Sequence, residues 1–409
     1  MGQVFRSRAV VTAETHRTTR FEIFFDLVFV FALIRVTEFM SARPAPVTLA
    51  QGLLILMMLW LSWLVYSSLG NYARADVGLS RAGTTAAMAA VFLAALVIPD
   101  VWKSGPGTLE PRLILVLAYI VLRLIHLALF RWAAADDRRL RRTIRIYALA
   151  TVPSWIPLVL GAVFGGRTQI LLWTAALVID MAGGVIASVR SGWSIRSPGH
   201  FTERHSLVVI IALGESLVSV GTGVGVEMIR RPVLLAALLT LTITVCLYRL
   251  YSENAAIAGE VLKAESGVRR GRLATNAYGR AHFPLIAGTI YTALGVEQVI
   301  ADLSHGHSHD IAELRLGWPS AAALFGGTAL YLTGRAAFLG LSVRSVPPEQ
   351  LLAPGVVLLL LPAGRFLPGL AALGLLATFL VVLVSYEALC RRRRDSGGPA
   401  VDPATSGPS

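Results

Sequence analysis

Residues 201–221 read Phe201-Thr-Glu-Arg-His-Ser-Leu-Val-Val-Ile-Ile-Ala-Leu-Gly-Glu-Ser-Leu-Val-Ser-Val-Gly221. The stretch is apolar enough to lie in a bilayer, yet it carries Glu203, Arg204, His205, Glu215, Ser216 and Ser219. A helix that only anchored a protein would have no use for Glu215, about 18 Å along its axis. Ionisable groups at such depth are expensive and face a protein interior or a water-filled cavity. An earlier stretch, Phe21-Glu-Ile-Phe-Phe-Asp-Leu-Val-Phe-Val-Phe-Ala-Leu33, has the same character. Phe21 aligns with Phe201, Leu27-Val28 with Leu207-Val208, and Ala32-Leu33 with Ala212-Leu213.

The composition agrees with a membrane setting. Hydrophobic residues make up 55% of the 409 and charged residues 15%, with a mean hydropathy of +0.66. Soluble domains carry about 25% charged residues. Windows of about 20 apolar residues, the length that crosses the hydrocarbon core, recur near 21–40, 47–68, 83–99, 111–132, 143–164, 168–189, 203–223, 231–252, 279–301, 318–341, 349–365 and 367–390. Turn signals such as Arg43-Pro44-Ala45-Pro46, Ser197-Pro198-Gly199 and Pro347-Pro348 separate them. Leu361-Pro362-Ala363-Gly364-Arg365 reads as a short break between the last two windows. Acidic Glu22 and Asp26 at the start of the first run argue against a cleaved signal peptide.

With the N-terminus inside, 25 of the 37 Lys and Arg fall in inner segments, 8 in outer ones, and Arg35, Arg123, Arg249 and Arg335 within spans. That bias predicts both termini in the cytoplasm of a bacterial inner membrane. The net charge of +13 is then explained by orientation and by contact with anionic lipids of the cytoplasmic leaflet. Nucleic-acid binding is not expected, because the basic loops lack interleaved aromatic residues.

Further internal matches appear in order. Trp63-Leu-Val-Tyr-Ser67 corresponds to Tyr248-Arg-Leu-Tyr-Ser252, and Tyr119-Ile-Val-Leu-Arg123 to Tyr331-Leu-Thr-Gly-Arg335. The growing offset is attributed to a longer loop over 253–278. The expected fold is therefore an all-α integral membrane protein of about 12 transmembrane helices in two parallel six-helix repeats. A cytoplasmic segment occupies 1–20, the repeats 21–190 and 191–390, and a disordered cytoplasmic tail 391–409.

With these motifs in hand, the chain resembles the bacterial low-temperature-requirement A (LtrA) family over roughly residues 18–390. The likeness rests on the run from Phe21 to Leu33, on Tyr119-Ile-Val-Leu-Arg123-Leu-Ile-His126, and on His200-Phe-Thr-Glu203-Arg204-His205 through Gly214-Glu215-Ser216. The resemblance implies a multi-pass membrane protein linked to cold or envelope stress, with no established reaction. A looser likeness joins Arg20-x-x-x-Phe24-Phe25-Asp26-x-Val28-Phe29 to the Arg-x-x-x-Phe-Ser-Asp signature of a six-helix-repeat potassium-channel family. Phe25 replaces the Ser, and the second copy has His200, Arg204 and Ser206 where the first has Arg20, Phe24 and Asp26. A pore on that plan would be lopsided.

Candidate functional residues are Glu22, Asp26, Arg123, His126, Asp180, Glu203, His205, Glu215, Ser216 and Arg335. Matched depth makes Asp26 with Arg123 the preferred ion pair. Glu22/Asp26 lie at i,i+4 and Arg123/His126 at i,i+3, so each set shares a helix face. Asp180 and Glu215 have no charged residue one turn away on their own helix, which marks them for an ion path. The bland alternative is that paired charges only hold helix register. The outer segment Ser304-His305-Gly306-His307-Ser308-His309-Asp310 reads as a solvated loop. No metal site or cofactor is expected, and Cys246 and Cys390 read as apolar fillers.

Three functions fit these residues. The first is a transporter or channel moving an ion (H+ or K+) or a small solute. The second is an intramembrane enzyme acting on a lipid or isoprenoid, and the third a non-catalytic scaffold. The sequence also allows a homodimer.

Overall fold

The structure, a computed structural model, describes residues 9–103, 105, 109–191, 193, 195–224, 231–305 and 315–396. These form twelve helical rods: α1 (Arg20–Ser41), α2 (Pro46–Tyr72), α3 (Gly78–Val97), α4 (Leu109–Ala133), α5 (Arg138–Phe164), α6 (Gly166–Ser191), α7 (Pro198–Val224), α8 (Arg231–Ala264), α9 (267–305), α10 (318–343), α11 (Pro348–Phe366) and α12 (Gly369–Ser396). Among the described residues, nine helices are long and apolar enough to cross a membrane. α1, with Arg20, Glu22, Asp26, Arg35 and Glu38 in one helix, is too charged to join them. α7 and α10 are the other two rods outside that set. Many large apolar side chains face outward, Leu359 at 78% and Val189 at 75% exposure among them. An apolar exterior over an all-helical backbone is what a bilayer demands, since lipid offers no hydrogen-bond partners. The chain is a multi-pass membrane protein.

α1 begins in a capping box: Thr19 Oγ1 accepts from the Glu22 amide, and Glu22 Oε2 accepts from the Thr19 amide at 3.0 Å. Upstream, the chain runs along the end of α2, with the Thr12 amide donating to Tyr72 O and the Arg74 amide to Val10 O. α3 packs on α1 and α4, and α5 on α6, while α9 lies along α7 and α10. Contacts of α1 with α7 and α9, and of α2 with α7 and α9, join the first six rods to the last six.

Glycine permits the closest approaches. A Cβ on Gly288 would strike the Tyr331 backbone, on Gly295 Leu324, on Gly327 Thr292, and on Gly334 Leu285. Four glycines thus let α9 and α10 pack backbone to backbone. Gly161 and Gly183 likewise admit Trp173 and Thr151, whereas a Cβ on Gly184 would meet nothing within 4 Å.

Three expectations need correction. The segment 253–278 is not a long loop: α8 continues to Ala264, and Gly267, at φ +57°, starts α9. Ala, Glu and Lys favour helix there, and Lys263 pairs with Glu260 at 2.7 Å. The run from Leu361 to Arg365 does not break the chain, because α11 carries both Pro354 and Pro362 internally. The basic end, expected to be disordered from 391, continues α12 to Ser396. The tail beyond 396 and the segment 306–310 lie outside the described residues.

α9 is not uniformly α-helical, since Ala274–Arg280 forms a π-helix. The change of register lets carbonyls of this turn serve side chains: Gly279 O accepts from Trp60 Nε1 at 3.0 Å, and Ala277 O from His282 Nδ1 at 3.1 Å.

Candidate functional site

Glu22 and Asp26, one turn apart on α1, both face the start of α7. Arg204 of α7 reaches between them: Nη1 lies 3.3 Å from Glu22 Oε1, and Nη2 bonds Asp26 Oδ1. Trp63 Nε1 of α2 donates to the same Asp26 oxygen at 2.7 Å. His200, one turn before Arg204, contacts Glu22 Oε1 through Nε2 at 2.9 Å. Asn71 fixes the His200 tautomer. Its Oδ1 accepts the Arg196 amide at 2.9 Å, so its Nδ2 must point toward His200 Nδ1, 3.4 Å away. Nδ1 is then the acceptor, and Nε2–H donates to Glu22.

The cluster is dry. Glu22, Asp26, Arg204 and His200 are each exposed by 1% or less. The Arg204 guanidinium also lies over the rings of Trp63 and Phe25, at 5.6 and 5.8 Å. Asp26 Oδ2 and Arg204 Nε have no hydrogen-bond partner among the described residues. Space here is tight, since a Cβ on Gly70 would come 2.6 Å from Glu22 Oε1.

Two neighbours extend the cluster. His205 stands edge-on to Trp63 at 4.9 Å and to His282 at 5.3 Å; its Nδ1 donates to Phe201 O at 2.8 Å. Toward the N-terminal end of α1, the His16 ring lies 5.4 Å from His200. His16 and Glu203 line an open vestibule of about 660 Å³, and Glu203 Oε2 accepts the Thr18 amide at 3.0 Å. Burial, then the nearby His200, hold the His16 imidazole below the ordinary histidine range.

Ligand atoms of His16, Glu22 and His200 lie within 4.8 Å of one another, close enough to share a metal ion. The guanidinium on the same Glu22 oxygen opposes a divalent cation there.

Other candidates gather elsewhere. Arg123 pairs with Asp180 of α6 at 2.6 Å, and Tyr119 OH donates to the second Asp180 oxygen at 2.7 Å. Arg123 also bonds Tyr147 and reaches Leu61 O on α2 at 3.4 Å. The expected Asp26–Arg123 pair is therefore wrong. Depth along a helix says nothing of direction around it, and Arg204 takes Asp26 while Asp180 takes Arg123. Nor is Asp180 a lone acid. His126 is 1% exposed beside this network.

Arg335 of α10 holds Glu387 of α12 through two bonds of 2.8 and 2.6 Å and donates to Leu250 O on α8. Glu215 and Ser216 are buried further out on α7 and do not join the cluster. Glu215 is not without a partner.

The sequence reading counts Arg204 among the inner arginines and has neither it nor His200, Trp63 or Asn71 among its candidate functional residues. The available signal was the offset alignment, which puts Arg20 against His200 and Phe24 against Arg204: the first copy's acids lack counterparts just where the second copy gains bases.

A curated protein of Rhizobium meliloti (strain 1021), itself described as uncharacterized, is 27% identical over 392 residues, covering 92% of this chain and 90% of its own. No solved structure matches. The family description "Bacterial low temperature requirement A protein (LtrA)" matches residues 17–385, and the chain belongs to that family.

Proposed function

We propose that the protein transports protons, alone or with a small solute, across the bacterial cytoplasmic membrane, with Glu22, Asp26, Arg204 and His200 as its proton-binding site. One observation carries this reading: two buried carboxylates share one guanidinium. Two other buried ion pairs among the described residues, Arg123–Asp180 and Arg335–Glu387, balance one to one. A surplus carboxylate in a dry site needs a proton or a cation to neutralise it. Arg204 between the acids favours the proton over K+, which would be repelled. His200 and His16 lead from Glu22 to the vestibule, a chain of exchangeable groups toward the cytoplasmic side.

Twelve spans in two six-helix copies, with both termini in the cytoplasm, complete the proposal. Its support is a recurring bonding pattern. Arg123 on the fourth rod grips an acid on the sixth and a carbonyl on the second. Arg335 on the tenth grips an acid on the twelfth and a carbonyl on the eighth. On this plan α1 and α7 are equivalent helices meeting face to face, acids on one and bases on the other.

The test is proton flux into proteoliposomes carrying a trapped pH dye, under an imposed membrane potential, with K+ and Na+ flux measured alongside. Wild-type protein acidifies the lumen, and Asp26→Asn, which keeps the shape and the Trp63 acceptor, abolishes it. Wild-type flux no greater than in empty vesicles, or full flux in well-folded Asp26→Asn, overturns the reading.

A further inference from the structure

A second cavity, of about 310 Å³, lies in the half of the bundle nearer the vestibule, between α2, α4, α5, α6 and the π-turn of α9. It is independent of the acid–base cluster. Its wall is mostly apolar and holds six aromatic rings: Trp60, Phe130, Tyr147, Trp193, Phe201 and Phe283. Met181 and Val185 of α6, exposed by 42% and 38% on the apolar flank, also line it, so its mouth faces lipid as well as the interior. The exposed Arg280 marks its cytoplasmic edge.

His126 lines this cavity, and neither of its ring nitrogens has a hydrogen-bond partner among the described residues. Phe130, Tyr66 and Tyr147 surround it at centroid distances of 5.4, 5.7 and 6.3 Å. A buried imidazole with both nitrogens unserved is rare, because an unmade bond costs the full desolvation of the group.

We propose that this cavity binds a membrane-soluble planar ring bearing a carbonyl or hydroxyl, of the quinone class. The ring packs among the aromatic side chains, its oxygen meets His126, and its apolar tail leaves past Met181 and Val185 into lipid. Three features select this class. Stacked and edge-on aromatic contacts reward a flat ring over a flexible chain. A volume at the lower end of the usual range of about 300–1,000 Å³ admits one substituted ring and excludes a two-chain phospholipid. Ser68, Asp180, Thr275 and Arg280 also line the wall, but His126 is the group there with both ring nitrogens unserved among the described residues, so it fixes one oxygen and discriminates against ligands without one.

The experiment titrates purified protein in detergent with decyl-dimethoxymethyl-benzoquinone, following tryptophan fluorescence and equilibrium binding, with 1-decanol as competitor. Wild-type protein binds one quinone per chain saturably, and decanol does not displace it. Gly184→Leu directs a side chain into the open space beside Gly184 and abolishes binding, while size-exclusion behaviour reports on its fold. His126→Phe keeps the bulk, loses the hydrogen bond and weakens binding about tenfold. Non-saturable uptake by wild type, unchanged binding in Gly184→Leu, or displacement by equimolar decanol would each overturn the assignment.

Discussion

At the scale of single residues, Arg204 has the largest consequence. Among the described residues it is the one arginine or lysine paired with both Glu22 and Asp26, and its removal leaves two carboxylates facing each other out of water. Arg204→Gln is expected to cost about 3–5 kcal/mol. The loss should appear as a lower melting temperature in detergent and be largely recovered when Asp26→Asn is added. Gly70→Ala is expected to fail similarly, since its methyl group would press on Glu22 Oε1. The depressed His16 gives a pH dependence of defined sign. The folded segment favours the neutral ring, so the stabilisation is complete above the free-histidine pKa of about 6.5 and is lost as pH falls below it. Amide exchange over residues 9–19, corrected for intrinsic rates, should quicken at pH 5 relative to pH 7, and His16→Gln should remove the change. At this scale the sequence was only partly legible. Glu22 and Asp26 announce themselves as acids in an apolar helix. Arg204, in the second turn of α7, looks like an ordinary membrane-edge arginine until the run from Phe21 is aligned with the run from Phe201.

At the scale of elements, two devices hold the bundle together, close glycine contacts and balanced ion pairs. Gly288→Leu should abolish folded protein on size exclusion, because the side chain would have to enter the backbone of α10. Gly374→Ala, where a methyl meets nothing within 4 Å, should leave the protein intact. For Arg335 and Glu387, a double-mutant cycle should show that either single alanine is worse than both together, since each leaves a buried charge alone. The position of each rod was legible because apolar runs are long and turn residues separate them. The π-helix of α9 was not, because Ala274–Arg280 is polar and lies almost wholly in the segment read as a loop. The interior prolines of α11 misled for a related reason: a proline marks a helix end only where its lost bond matters, and α11 tolerates two.

At the scale of the whole molecule, the segments expected inside and outside differ in charge, and orientation can be checked directly. The two native cysteines are free, so a background without them is needed. In it, Arg141→Cys should react with a membrane-impermeant thiol reagent in inverted vesicles alone, and Lys103→Cys in right-side-out cells alone. The class of protein was legible from composition, and the number and order of rods from windows of hydropathy. Which charge meets which was not, because that depends on how twelve rods are rotated about their axes. The α1–α7 contact also constrains motion. Drawing these two rods apart would pull Glu22 and Asp26 from Arg204 in a medium too poor in water to solvate either side. Any rocking of one half against the other must therefore keep this junction closed and swing about it, so the ion cluster is the fulcrum of the molecule and the rod ends remote from it travel furthest.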